Sequence, residues 1–231
     1  MSLSVIVTRT LPGARDTADH LARLGFKPIL SPMLSIVETG LDPSALTGIR
    51  HIVFTSANGV RPLGAAGHTA WCVGPSTAEA ARKAGFDPVI EGDGNAEDLA
   101  RLILAARPEG PLLHIANEAA AGELVAALKA GGLDARFTAP YRTDPATSLA
   151  RETATALASG GPVIVLLHSA KAAAALAALH PNLNHAALAA ISAAAAAPLK
   201  EGAGLGTWIA ERPNEDSLMD AVGLAARALC P

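Results

Sequence analysis

Aromatic and charged residues are both scarce in this chain. Aromatics make up 3% of its 231 residues and charged residues 17%, and Tyr141 is the only tyrosine. Half of the chain is hydrophobic, which excludes a disordered protein and describes a globular one. An excess of basic residues is also missing: the net charge is −3, so the basic signature of a nucleic-acid binder is absent. The only two cysteines, Cys72 and Cys230, have no CxxC spacing and read as reduced thiols of a cytosolic protein. The opening MSLSVIVTRT has neither a basic n-region nor an apolar h-region, and reads as a first strand. Alanine-rich stretches such as 172–178 are broken by polar residues well before the roughly 18 apolar residues that a membrane span needs. A cytoplasmic protein with no membrane partner is expected.

Several chemistries are missing as well. There is no GxxxxGK[ST] phosphate cradle, no GxSxG elbow, no metal-ligand spacing among the seven histidines and no context for a catalytic cysteine. The glycine run before Thr207 precedes a strand, whereas a dinucleotide fingerprint follows one and opens a helix. What remains is binding, or catalysis by positioning.

What is present is a repeating order of strand, polar junction, amphipathic helix, glycine and strand. Ser4–Thr8 is a β-branched apolar run. Asp16–Leu24 carries Ala18, Leu21, Ala22 and Leu24 at helical spacing, with Gly25 as its stop, and Lys27–Leu30 returns as a strand. Further strands are expected at His51–Phe54, Ala70–Val73, Pro88–Ile90, Leu112–Ile115, Ala135–Thr138, Val163–Leu167, Ala187–Ile191 and Thr207–Ala210. This alternation implies α/β architecture, with parallel sheets covered by helices on both faces.

The order contains an internal repeat. VIVTRTLPGARDTADHLARLGFKPILSPM matches LLHIANEAAAGELVAALKAGGLDARFTAPY in pattern, ending at Pro32 and Pro140. HIVFTSANGV resembles IVLLHSAKAA, and NAEDLARLI resembles NEDSLMDAV. An A–B–A′–B′ order follows, from which two doubly wound domains arise by pairing B with A′ and A with B′; one larger sheet is the alternative. The expected division is residues 1–34 plus 146–231, residues 39–140, and a two-stranded linker of residues 35–38 and 141–145.

Ligands of doubly wound folds sit beyond the carboxyl ends of the strands. Four junctions there open helices: Thr55-Ser56-Ala57-Asn58, Gly74-Pro75-Ser76-Thr77, His168-Ser169-Ala170-Lys171, and Ile191-Ser192-Ala193. Each offers unpaired backbone N–H groups at a positive helix end, which suits carboxylates. Any one of them is an ordinary helix cap; four in two facing domains would line one cleft. Tyr141 is either a half-buried hinge residue or a side chain facing that cleft. Arg9 is either a solvated strand end or a carboxylate clamp.

At these junctions the sequence resembles the uroporphyrinogen-III synthase family. VTRTLPGARDTADHLARLGF, FTSANGV, WCVGPSTAEAARKAGF, APYRT, HSAKAAAAL and ERPNEDSLMDAV carry the resemblance through their order and spacing. It implies two flavodoxin-like doubly wound domains joined by a two-stranded hinge, and a hydro-lyase that cyclises hydroxymethylbilane with inversion of ring D and loss of water. It implies no cofactor and no metal. The partners implied are a linear tetrapyrrole and a transient contact with porphobilinogen deaminase, for a monomer without nucleic acid. By resemblance Tyr141 assists departure of the hydroxyl. Arg9, Ser56, Ala57, Asn58, Gly74, Ser76, Thr77, Ser169, Ala170, Lys171 and Ser192 would bind substrate. One departure stands out: where the family carries a Gly-Pro-Thr-Thr-Ala-like turn, this chain reads Ile191-Ser192-Ala193-Ala194-Ala195. A synthase-like protein that has lost activity and binds tetrapyrroles, or serves as an interaction module, is the second reading.

Overall fold

A computed structural model describes residues 2–64, 67–120, 122–199 and 204–229; Cys230 lies outside the described residues. The chain runs β1 (Ser4–Val7), α1 (Gly13–Arg23), β2 (Lys27–Leu30), β3 (Leu34–Glu38), β4 (His51–Phe54), β5 (Thr69–Cys72), α2 (Pro75–Lys83) and β6 (Val89–Glu91). It continues through α3 (Ala96–Ala106), β7 (Leu112–Asn117), α4 (Glu123–Ala130), β8 (Ala135–Pro145), α5 (Arg151–Ala158), β9 (Val163–Leu167) and α6 (Ala170–Leu179). The last elements are β10 (Ala186–Ala190), α7 (Ala193–Ala196), β11 (Thr207–Ile209) and α8 (Glu215–Leu229). Contacts divide the chain into unit 1, residues 1–35 and 144–231, and unit 2, residues 36–143.

Unit 1 holds a five-stranded parallel sheet of order β11-β10-β9-β1-β2. Its central strands, β1, β9 and β10, are apolar on both faces because both faces are covered. In β9, Val163, Val165 and Leu167 enter one core, shared with α6. Ile164 and Leu166 enter the opposite core, shared with α1 and α8. Helix α1 buries Ala14, Thr17, Ala18 and Leu21 along one stripe, and Gly25 follows it at φ +87°, a left-handed turn that costs glycine least.

Unit 2 holds a sheet of order β3-β8-β7-β4-β5-β6, in which β8, β7, β4, β5 and β6 are parallel. Its two cores are built in the same manner, one around Phe54 and Phe86 and the other around Trp71, Ile103 and Leu128.

The repeat in the sequence explains both orders. The strands β2-β1-β9-β10-β11 of unit 1 and β8-β7-β4-β5-β6 of unit 2 follow one spatial plan, flavodoxin-like, with the halves entered in a different chain order. The registers agree: Val7 faces Leu30 as Ile115 faces Thr138. The NAED and NEDS segments begin helices through one device, since Asn95 caps α3 at the Asp98 N–H and Asn214 caps α8 at the Ser217 N–H, each at 2.9 Å.

Two elements differ from the sequence expectation. FTSANGV does not open an α-helix after β4: Ala57–Gly59 forms a single 3-10 turn, still capped by Ser56. Asn58, Gly59 and Pro62 are all poor helix interiors, so nothing propagates the turn. Strand β8 runs on from Thr138 to Pro145, because β3 pairs alongside it. The Thr39 N–H donates to the Pro140 carbonyl and the Ser35 hydroxyl to the Asp144 carbonyl, so the two passages run in opposite directions.

Candidate active site

In sheets of this order the ligand position is the carboxyl edge where strand order reverses, between β4 and β7 in unit 2 and between β1 and β9 in unit 1. The polar side chains of each unit gather there.

In unit 2, β7 ends in Asn117, which faces Tyr141 of β8 across a register irregularity. Tyr141 is buried. Burial raises its pKa, against the opposing effect of hydrogen bonds from the Ser56 side chain and the Asn117 backbone. Ser56 is fitted for this, because its oxygen accepts from the Asn58 N–H at 3.3 Å and its own hydrogen remains to be given. Asn117 is held at both ends of its amide: Nδ2 donates to Thr143 Oγ1 at 3.2 Å, and Oδ1 accepts from the Ala119 N–H at 2.9 Å. The Asn117 N–H can only donate to the phenol oxygen, whereas between the hydroxyls of Ser56 and Tyr141 either hydrogen can serve, so the Tyr141 hydrogen is available to another partner when Ser56 donates.

On the neighbouring strands, His114 Nε2 and Thr55 Oγ1 lie 3.0 Å apart. Burial pushes His114 down to about 4, so its ring is neutral at physiological pH, and its Nδ1 has no partner among the described residues. A buried acceptor without a partner costs less than a buried donor without one, which favours the tautomer with Nε2–H donating to Thr55. The Thr55 hydroxyl hydrogen then points onward. At the next junction Gly74 caps α2 ahead of Pro75, and a Cβ at position 74 would sit 3.2 Å from the Gly94 Cα. Ser76 is exposed and Thr77 is buried in the same turn.

In unit 1, Arg9 follows β1 and His168 follows β9, and both meet Glu215 at the start of α8. Arg9 Nη1 donates to Glu215 Oε2 at 3.2 Å, His168 Nε2 meets the same oxygen at 3.0 Å, and the Thr17 hydroxyl donates to Oε1 at 2.6 Å. Burial by itself would raise the Glu215 carboxyl. The hydrogen bonds from His168 and Thr17 and the charges of His168 and Arg9 outweigh it and hold the group down at about 2. Its contribution to stability is therefore complete above the unfolded value of 4.5 and is lost as pH falls toward about 2. Glu215→Gln should show a shallower decline in urea midpoint between about pH 5 and pH 2.5 than the unsubstituted chain; parallel declines would rule the linkage out.

The other two junctions of unit 1 are capped as read from sequence. Ser169 Oγ accepts from the Ala172 N–H at 3.2 Å, with Ala170 and Lys171 in the first turn of α6. Ser192 Oγ accepts from the Ala195 N–H at 3.2 Å, at the head of the four-residue α7.

Sequence reasoning missed Asn117, His114, Thr17 and Glu215, and placed His168 at a junction without its partner Glu215. The signal for Glu215 was in the repeat: it stands where the matching NAED segment has Ala96. Burial pushes the Cys72 thiol up to about 11, which leaves it unreactive. Among the described residues no group of His, Cys, Asp and Glu could hold a metal ion, and no helix is long and apolar enough to cross a membrane.

Fold and edges together define a class: α/β proteins of two doubly wound units sharing one strand plan, each with its polar residues at the switch point. The family model for uroporphyrinogen-III synthase HemD matches residues 15–220. The chain belongs to the uroporphyrinogen-III synthase family. Its fold is similar to that of uroporphyrinogen-III synthetase from Helicobacter pylori, with TM-score 0.68 and 18% identity over 98% of this chain and 100% of that one. It is also similar to a mutant uroporphyrinogen III synthase from the extremely thermophilic bacterium Thermus thermophilus, with TM-score 0.53 and 19% identity over 98% of this chain and 99% of that one. No curated protein matches the chain in sequence.

Proposed function

We propose that this chain carries the activity for which its family is named, closing hydroxymethylbilane into uroporphyrinogen III with inversion of ring D and release of water, as a hydro-lyase. The observation that carries the reading is Tyr141, a phenol placed on the carboxyl edge of a sheet in this family, with its oxygen facing the Ser56 hydroxyl and the Asn117 N–H.

The reaction starts when the terminal hydroxyl of the substrate leaves as water. Tyr141 donates a hydrogen bond to that hydroxyl, directly or through one water, and Ser56 and the Asn117 N–H stabilise the charge that develops on the phenol oxygen. The remaining requirement is geometric. Closure without inversion proceeds unaided, so the protein must hold the chain folded for attack through the substituted carbon of ring D. The substrate's carboxylates are the handles. In this reading the helix starts at Gly74, Ser169 and Ser192 take them through backbone N–H groups, and Arg9 adds a charge-assisted contact. Backbone donors also account for the Ala193–Ala195 turn, where threonine hydroxyls are missing. No cofactor enters the scheme. Because hydroxymethylbilane closes on its own, a transient contact with porphobilinogen deaminase, which makes it, would shorten the time in which it can close unaided; the reading takes the chain as a monomer.

The test is a coupled assay in which porphobilinogen deaminase generates hydroxymethylbilane in the presence of the chain, and the oxidised porphyrin isomers are separated. Predominantly type III product is expected. Type I product alone, from folded protein, would leave the binding-module reading in its place.

A further inference from the structure

The cluster at the carboxyl edge of unit 1 contains an acidic residue where an anionic ligand is expected, and that conflict needs a physical reason. A lone carboxylate beside Arg9 would repel substrate carboxylates. Glu215, however, already holds three donors: Oε1 takes the Thr17 hydroxyl, and Oε2 takes both Arg9 Nη1 and His168 Nε2. Its charge is spent on three donors from α1 and from the ends of β1 and β9, so it acts on them more than on an incoming anion. Thr17 is 1% exposed and the His168 side chain 10% exposed, so both donors are packed in place. The Arg9 side chain remains 35% exposed.

The Arg9 guanidinium is also shaped from the other side. It lies against Gly13, where a Cβ would stand 2.8 Å from Cζ and Nη2 and 2.9 Å from Nε. A side chain at position 13 would push the guanidinium away from this place, and glycine lets it stay. Arg9 Nη1 bonds Thr17 Oγ1 at 3.2 Å as well as Glu215, while Nε and Nη2 have no hydrogen-bond partner among the described residues. A guanidinium presents five donors in a fixed fork, so tying down one nitrogen sets the direction of the others. Here they are aimed beside the first turn of α1, whose N-cap Pro12 supplies no side-chain acceptor.

We propose that Glu215 is a positioning residue: it holds Arg9, with His168 and Thr17, so that the guanidinium presents its remaining N–H donors to a carboxylate of the substrate. This rests on the synthase reading for the identity of the substrate, and deepens it by naming what orients the clamp. It also fits a chain of net charge −3. The paired cluster attracts little at long range, and recognition depends on where the donors point.

The test is a double-mutant cycle on the full chain, with Glu215→Ala, Arg9→Ala and both together. Steady-state type III formation is read alongside binding of uroporphyrin III, an octacarboxylate probe, by fluorescence titration. Glu215→Ala is expected to raise KM and the probe Kd by about tenfold with kcat changed less than about twofold, the mark of lost binding rather than lost chemistry. In the Arg9→Ala background the same change should add nothing. Glu215→Gln, which keeps an oxygen for Arg9, should bring KM back to within about threefold of the unsubstituted chain. Additive effects in the cycle would overturn the proposal, and so would tighter binding by Glu215→Ala, which would make Glu215 a competitor for Arg9. If Glu215→Ala does not fold, Thr17→Val takes its place, with about a threefold rise in KM expected and no change counting against the idea. If the unsubstituted chain makes no type III product, the synthase reading fails by itself, and the cycle on probe binding still decides the role of Glu215.

Discussion

Tyr141→Phe should lower the rate of type III formation by about a hundredfold or more and leave the fold in place. The change removes one oxygen from a buried ring and keeps the ring itself, so the packing of β8 against β7 is preserved. Two donors lose their acceptor, the Ser56 hydroxyl and the Asn117 N–H. That loss costs about 1–3 kcal/mol, which a domain of this size tolerates. In the proposed mechanism the kinetic loss is larger, because the proton for the departing hydroxyl comes from Tyr141, while the neighbouring His114 is neutral at physiological pH and engaged with Thr55. Initial rates of type III formation, measured beside a thermal melt, separate the two effects. A rate equal to that of the unsubstituted chain would remove Tyr141 from the mechanism.

Gly59→Ala should be the most damaging single methyl in unit 2. A Cβ there would stand 2.6 Å from the Ile115 carbonyl oxygen and 3.3 Å from Phe54 Cδ1. Phe54 is a side chain and can shift slightly. The Ile115 carbonyl cannot, because β7 is laddered to β4 on one side and to β8 on the other. The 3-10 turn must lift instead, and Ser56, which begins that turn, moves with it. Overpacking of this kind costs about 1–3 kcal/mol. A shift of about 1 Å at Ser56 would also loosen its bond to Tyr141, at a rate cost approaching a hundredfold. The matched control is Gly223→Ala in α8, where nothing lies within 4 Å of the added Cβ. There the same substitution should stabilise by about 0.5–1 kcal/mol. Urea midpoints for both variants decide the point, and equal midpoints would show that the close approach at Gly59 yields without strain.

The matched halves of the chain show how one fold came to hold two different edges. Arg9 and Asn117 stand two residues beyond the register pairs Val7–Leu30 and Ile115–Thr138, so they occupy equivalent places. The first carries a charge tied to Glu215; the second is an amide tied to Thr143 and Ala119. Met33 likewise stands where unit 2 has Tyr141. At this edge unit 1 thus carries an ion pair, and unit 2 an amide beside a phenol.

Local pattern determined most of the architecture. Strands such as VIVLL are readable as short continuous apolar runs buried on both faces. In α1 the helical spacing read Ala18 and Leu21 into the buried stripe, while Ala22 and Leu24, read on the same spacing, are exposed and Ala14 and Thr17 complete it. The strand read at Ala187–Ile191 is β10, Ala186–Ala190, although alanine favours helices. Helix caps at Ser169, Asn95 and Asn214 follow from neighbours three residues away, which a sequence displays directly. The repeat determined which halves pair, and with them the strand order.

Tertiary structure decided what depends on distance across the sheet. Nothing in the neighbourhood of Glu215 announces that it meets Arg9, 206 residues earlier, or that His168 shares the same oxygen. Nothing beside Tyr141 announces Ser56 and Asn117 as partners of its hydroxyl. The extension of β8 to Pro145 required β3 beside it, and the arrest of the helix after Ser56 was reinforced by the Ile115 carbonyl lying against Gly59. Hydrophobic periodicity is a local property repeated many times, so a sequence can carry it. A hydrogen bond between strand ends is a single contact whose geometry exists only after the sheet has closed.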